Sequence, residues 1–229
     1  MSPDYNLLLL RNHKLFRQLT TKECRELNID KGFIQARKNE FIYLNNFTSN
    51  RLFFLKKGYV KIGTYDEEGK EIIREILHEG DIFGQVNLEQ ESNSNEFAQA
   101  IKKDATICSF TIEDFEKILE KRPDLAISYT KLVGLRLKTL QTRISNIMYK
   151  DVKERLRDFF IYLVGKNNIQ SDEVLIENYL THADIAGLIG STRQTVTTLI
   201  NELEEKGLLQ FSRKEIRIKS MDKLKKIRL

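Results

Sequence analysis

The chain has 229 residues, 41% of them hydrophobic, and a formal net charge of +5. That is enough apolar material to bury a core in one large domain or two ordinary ones, and it excludes wholesale disorder. No apolar run is long enough to span a bilayer, and Leu7 to Leu10 is too short for the core of a signal peptide. Cys24 and Cys108 lie far apart, which fits a reduced, cytoplasmic protein better than a disulfide scaffold. Residues 1–150 carry 24 basic and 21 acidic side chains and residues 151–229 carry 14 and 12, so the basic excess is spread along the chain. Charge permits a nucleic-acid partner without establishing one.

Residues 5–30 read as short helices, with Thr20-x-x-Glu23 spaced as a capping box ahead of Cys24. From Phe33 to Thr111 the pattern becomes β-rich. Short runs such as Phe41–Leu44, Leu52–Leu55, Tyr59–Ile62, Ile72–Leu77 and Thr106–Phe110 are separated by Gly58, Asp66–Gly69, Gly80-Asp81 and Gly84. Many short strands between glycine turns predict an antiparallel roll or barrel.

Ile112 to about Lys121 reads as a short helix broken at Arg122-Pro123. A long helix follows, roughly from Asp124 to Tyr149. Val133, Leu137, Leu140, Ile144 and Ile147 recur along it at coiled-coil spacing, on an otherwise polar helix. A narrow apolar stripe of this kind predicts a seam with a second copy of the chain. The alternative is a helix packed along its own barrel.

A second domain begins near Asp151, with a helix from Val152 to Leu163 and a loop from Lys166 to Glu173. Thr181-His182-Ala183-Asp184 starts a short helix with a capping box, Gly190 makes a turn, and a second helix runs from about Thr192 to Lys206. Ser191, Thr192, Thr195, Thr197 and Thr198 crowd the start of that second helix, although hydroxyl residues rank low in helix propensity. Helix, glycine turn, helix is the helix-turn-helix pattern, whose second helix enters the DNA major groove. Short hydroxyls allow close approach and hydrogen bonds to phosphate, Arg193 can chelate guanine, and Gln194 can pair with adenine. The runs Leu208–Phe211 and Ile216–Lys219, joined by a turn containing Arg213 and Lys214, predict a two-stranded basic wing.

The segments "KKGYVKIGTYDEEGKEIIREILHEGDIFGQ", "KDVKERL" and "LTHADIAGLIGSTRQTVTTLINELEEKGLL", with the long helix after "RPD", resemble the CRP/FNR family of bacterial transcription regulators over essentially the whole length. The resemblance implies an α+β chain. It would have an N-terminal antiparallel β-roll or jelly roll of the cyclic-nucleotide-binding type over 1–122, a dimerisation helix over 123–150, and a winged helix-turn-helix over 151–229. It also implies a homodimer on a two-fold symmetric double-stranded DNA site, with RNA polymerase as a further partner. Arg193, Gln194 and Thr198 fall at its base-reading positions, and Thr181, Ala183 and Thr192 at phosphate-contacting ones. Ser191, Thr195 and Lys214 complete the expected DNA surface. The cyclic AMP receptors have Glu and Arg where Gln194 and Thr198 stand, so a different DNA sequence is expected.

The sensor half departs from the family pattern. The cyclic AMP cassette's Gly-Glu-Leu and Arg-Ser-Ala correspond to Gly84-Gln85-Val86 and Glu96-Phe97-Ala98, and the adenine-contacting Thr-Ser to Leu140-Gln141. Glu96 would repel a phosphate that an arginine normally holds. No Lys or Arg occurs between Glu75 and Ile101. The expected effector is therefore not cyclic AMP but an uncharged, cationic or apolar molecule, or none. Phe97, Val86 and Leu140 would either line an apolar pocket or simply close it.

Two cysteines cannot hold an iron–sulfur centre. His13, His78 and His182 match no metal spacing, and a haem-ligand role for His78 is the weaker reading of that residue. No catalytic residues, metal, cofactor or membrane contact are expected. Two rival readings remain: an enzyme or effector gated by a cyclic-nucleotide module, and a constitutive DNA-binding dimer with a vestigial sensor.

Overall fold

The computed structural model describes residues 15–27, 33–44, 51–84, 95–166 and 171–226. They form two compact units, divided between Arg136 and Leu137.

The first unit is built on two long antiparallel strands, β3 (Arg51–Tyr65) and β6 (Glu96–Thr111). They pair from Arg51↔Thr111 to Thr64↔Glu96. Around them lie β1 (Phe33–Ala36) and β2 (Phe41–Leu44) on β6, and β4 (Glu71–Leu77) and β5 (Ile82–Phe83) on β3. The runs Leu52–Leu55 and Tyr59–Ile62, expected as separate strands about Gly58, are one strand. Gly58 sits inside β3 with φ +97°, where the register shifts on both sides of Lys57. A bulge bends the strand there instead of ending it. The Thr106–Phe110 run likewise belongs to the longer β6.

Side chains from one face of the roll, among them Phe53, Leu55, Val60, Ile62, Ala98 and Ala100, form its interior. The other apolar cluster joins Leu52, Phe54, Cys108 and Phe110 to three helices: α1 (Thr21–Glu26), α2 (Ile112–Lys121) and the start of α3 (Pro123–Tyr149). Both cysteines are buried in it as reduced thiols. The expected Thr20–Glu23 capping box starts α1. Arg122 binds Glu23 at 3.0 Å and Asp124 at 2.8 Å, which ties α1 to the α2–α3 corner. Arg136 donates to the Ile82 carbonyl oxygen. Of the predicted helical stretch 5–30, a 3-10 turn (Phe16–Gln18) and α1 are observed, and residues 5–14 and 28–30 lie outside the described residues.

The second unit contains the end of α3, then α4 (Val152–Lys166), β7 (Val174–Glu177), α5 (His182–Ile189), α6 (Arg193–Glu205), β8 (Leu209–Phe211), β9 (Glu215–Ile218) and α7 (Met221–Lys226). The wing has three strands in the order β7-β9-β8, not the expected two. Val174 and Ile176 of β7 bury themselves beside Ile216 and Ile218. So short a run is too brief to show a period in the sequence.

Gly63 lies where two strands of the roll approach closely. An added Cβ there would stand 2.6 Å from the Ile72 carbonyl oxygen and 2.8 Å from the Phe97 ring. Gly63→Ala is expected to lower the unfolding free energy by about 1–3 kcal/mol, seen as a reduced urea midpoint at unchanged slope.

Candidate nucleic-acid interface

Thr181 caps α5: its Oγ1 accepts from Asp184 N at 3.1 Å, and Asp184 Oδ2 accepts from Thr181 N at 2.7 Å. The helix ends at Gly190 in the left-handed conformation (φ 67°), where Ser191 N donates to the Ala186 carbonyl oxygen at 2.9 Å. Thr192 then caps α6 by accepting from Thr195 N at 3.1 Å. Val196, Leu199, Ile200 and Leu203 of α6 are buried. This local chemistry fixes which side of α6 faces outward.

Two arginines hold the turn. Arg155 of α4 donates through Nε to the Ile189 carbonyl oxygen (2.7 Å), and through its two Nη atoms to those of Lys150 (2.7 Å) and Gly190 (3.0 Å). Arg143, on the last turns of α3, donates to the Gly187 carbonyl oxygen at 2.8 Å. The final carbonyls of a helix have no partner within it, and here guanidinium groups supply the donors. Neither arginine was singled out from the sequence. Arg155 lies in the "KDVKERL" segment, where nothing local says what it binds.

On the outward side, Arg193, Gln194 and Thr198 are exposed, as are Thr181, Ala183 and Thr192. Ser191 and Thr195 are partly buried, and Lys214 is exposed in the wing turn. Ser212 shapes that turn, its Oγ accepting from Glu215 N at 3.0 Å. Thr192 and Thr195 pair with each other at 2.8 Å. Thr197 donates to the Arg193 carbonyl oxygen at 2.9 Å and meets His182 Nδ1 at 2.9 Å. Three of the five hydroxyls thus serve the helix itself and its junction with α5. His182 also lies against Phe211 of the wing, the ring centroids 4.8 Å apart. Burial and then the Arg193 charge hold its imidazole below the ordinary value.

In the roll, Glu96 and Ala98 share the interior face of β6 with Thr64 and Ile62 of β3. Tyr43 Oη donates to Glu96 Oε1 at 2.7 Å, and Arg74 Nη1 lies 3.4 Å from Oε2. Burial, and then the Glu96 charge, push the Tyr43 phenol well above its usual value, so it stays a donor. Both partners of Glu96 lie outside the arginine-free stretch read from the sequence. Phe97 does not share this face. It lies on the opposite face over Gly63, fully buried between Phe41 and Tyr65. Gly84 directly follows β5, and Gln85 and Val86 lie outside the described residues. Leu140 and Gln141 belong to the second unit and are exposed.

On α3, Val133, Leu137, Leu140, Ile144 and Ile147 are between 45% and 59% exposed. Among the described residues, no group of His, Cys, Asp and Glu could hold a metal ion, and no helix is long and apolar enough to cross a membrane. His13 lies outside the described residues.

Residues 33–122 match the model of the cyclic nucleotide-binding domain, and residues 154–227 that of the Crp-like helix-turn-helix domain. The chain is 33% identical over 185 residues to a global nitrogen regulator of a Nostoc species, covering 79% of this chain and 82% of that one. The chain belongs to the CRP/FNR family of transcriptional regulators. The cAMP-activated global transcriptional regulator CRP of Salmonella typhimurium is 24% identical over 165 residues, covering 72% of this chain and 79% of that one. A variant of CooA from Carboxydothermus hydrogenoformans superposes with a TM-score of 0.74 at 28% identity, covering 98% and 96% of the two chains. The curated relatives are regulators, not enzymes, and the chain shares with them the α+β plan of a jelly-roll-like domain and a helix-turn-helix.

The arginine-held turn has a measurable consequence. Arg155→Ala leaves helix-end carbonyls unpaired and should lower stability by about 1–3 kcal/mol. A thermal melt of the full chain reads the loss as a lowered Tm.

Proposed function

We propose that this CRP/FNR-family chain regulates transcription as a homodimer on an inverted-repeat DNA site, acting on RNA polymerase, and that its roll does not answer to cyclic AMP. One observation carries the DNA reading: the outward side of a capped, arginine-held helix displays Arg193, Gln194 and Thr198. Thr181, Ala183, Ser191, Thr192, Thr195 and Lys214 supply its surroundings. Arg193 suits the acceptor pair of guanine, Gln194 the donor–acceptor pair of adenine, and the Thr198 methyl a thymine. Lys214 serves the backbone as a point charge. Domain limits of 1–122, 123–150 and 151–229 suit this division of labour. The cell interior is where such a protein works.

The effector reading rests on Glu96. A phosphate entering its face of β6 meets a carboxylate already satisfied by Tyr43 and approached by Arg74. The same satisfied state supports a second reading, in which the sensor is closed and the dimer binds DNA constitutively.

Footprinting a duplex selected from random sequence should reveal half-sites about one helical turn apart, roughly 34–36 Å. Arg193→Ala should cost about 1–3 kcal/mol on that site and flatten preference at one base pair, while Lys214→Ala weakens all sequences alike and lowers the salt slope by about 1. Unchanged specific binding by Arg193→Ala would remove α6 from the interface. Leu137→Lys combined with Ile144→Lys places charges in the exposed stripe and should give monomers by sedimentation. Calorimetry should detect no binding of cyclic AMP or cyclic GMP at micromolar concentrations, and a micromolar signal lost in Gln85→Ala would reverse the effector reading.

A further inference from the structure

The hydrogen bonds around His182 fix which of its ring nitrogens carries hydrogen. Thr197 has one hydroxyl proton and gives it to the Arg193 carbonyl oxygen, 2.9 Å away. Toward His182 its Oγ1 can therefore only accept, so Nδ1, 2.9 Å away, is the protonated nitrogen. In the neutral ring Nε2 is then a bare acceptor. It has no hydrogen-bond partner among the described residues, and the His182 side chain is partly exposed. The ring stands at the first position of α5, between the exposed Thr181 and Ala183, and beside Phe211 of the wing.

We propose that His182 is a further phosphate ligand of the DNA interface, and that it takes up a proton at Nε2 when DNA binds. The inference rests on the DNA-binding reading above and adds a residue and a proton to it. A bare lone pair facing a phosphate oxygen is repulsive. One proton turns it into a charged donor and leaves the Nδ1–H bond to Thr197 as it was, so no rearrangement is required.

The charges that act on the ring come from α6: Arg193 opposes the added proton and Glu204 favours it. On its own helix, Asp184 is committed to the Thr181 cap, and β8 presents only the Phe211 ring. In free protein the imidazole titrates below its ordinary value, because of burial and Arg193. A phosphate beside it acts in the opposite direction and raises the value in the complex. Between the two values binding absorbs a proton, so affinity rises as pH falls through that window.

The test is fluorescence anisotropy of the full chain on the selected duplex, from about pH 8 to about pH 6. Wild-type affinity should rise toward low pH by up to about tenfold per pH unit per protomer. The salt slope should steepen by about 0.9 per protomer at the acidic end. His182→Gln should lose the acid gain and keep one salt slope across the pH range. His182→Arg should bind tightly at both ends, and it reports independently should the glutamine variant fail to fold. Equal pH and salt responses in wild type and the folded variants would overturn the proposal while leaving the DNA reading intact. Failure to select any duplex at any pH would overturn the DNA reading, and this inference with it.

Discussion

The last carbonyls of a helix have no partner within it, and the second unit depends on how they are held. Arg155 spans the carbonyls of Lys150, Ile189 and Gly190, and Arg143 takes that of Gly187. These bonds pin the end of α3 and the start of α4 to the turn between α5 and α6. A planar guanidinium with five donors can hold several oxygens at fixed angles, which a lysine cannot. The turn held by this small cluster leads directly into α6, the helix that displays Arg193 and Gln194. Since α3 also bears the exposed apolar stripe, the same arginines join the proposed dimer seam to the proposed DNA surface.

The first unit has a comparable constraint in the pairing of β3 with β6. Their register places Glu96 beside Thr64 and Phe97 beside Gly63. Because successive residues of a strand face opposite ways, a phenylalanine over a glycine on one face commits the neighbouring carboxylate to the other. Glu96 then meets Tyr43, which is itself packed on Phe53 at 5.6 Å. The interior face of β6 thereby carries the Glu96 carboxylate, held by the Tyr43 hydroxyl.

Around α6, hydroxyl groups divide between two tasks. Thr192 and Thr195 secure the start of the helix, and Thr197 joins it to α5 through His182. Thr198, one residue further, is exposed. A helix rich in poor helix formers persists because several of those side chains satisfy its own backbone ends, while the buried Val196, Leu199, Ile200 and Leu203 supply the packing.

The elements governed by local chemistry were legible before the fold. Capping residues at Thr20 and Thr181, the break at Pro123, the turn at Gly190 and the spacing of the α3 stripe mark helix limits and faces, because each acts within one or two turns of chain. The family motifs followed from them. Tertiary structure alone decided what lay across long separations: that Gly58 bends a strand without ending it, that β7 completes the wing, that Tyr43 and Arg74 reach Glu96, that Phe97 faces away, and that Arg155 serves a turn some 35 residues on. Cross-strand register and guanidinium–carbonyl bonds join residues that no short-range period connects, so their partners exist only once the chain has folded.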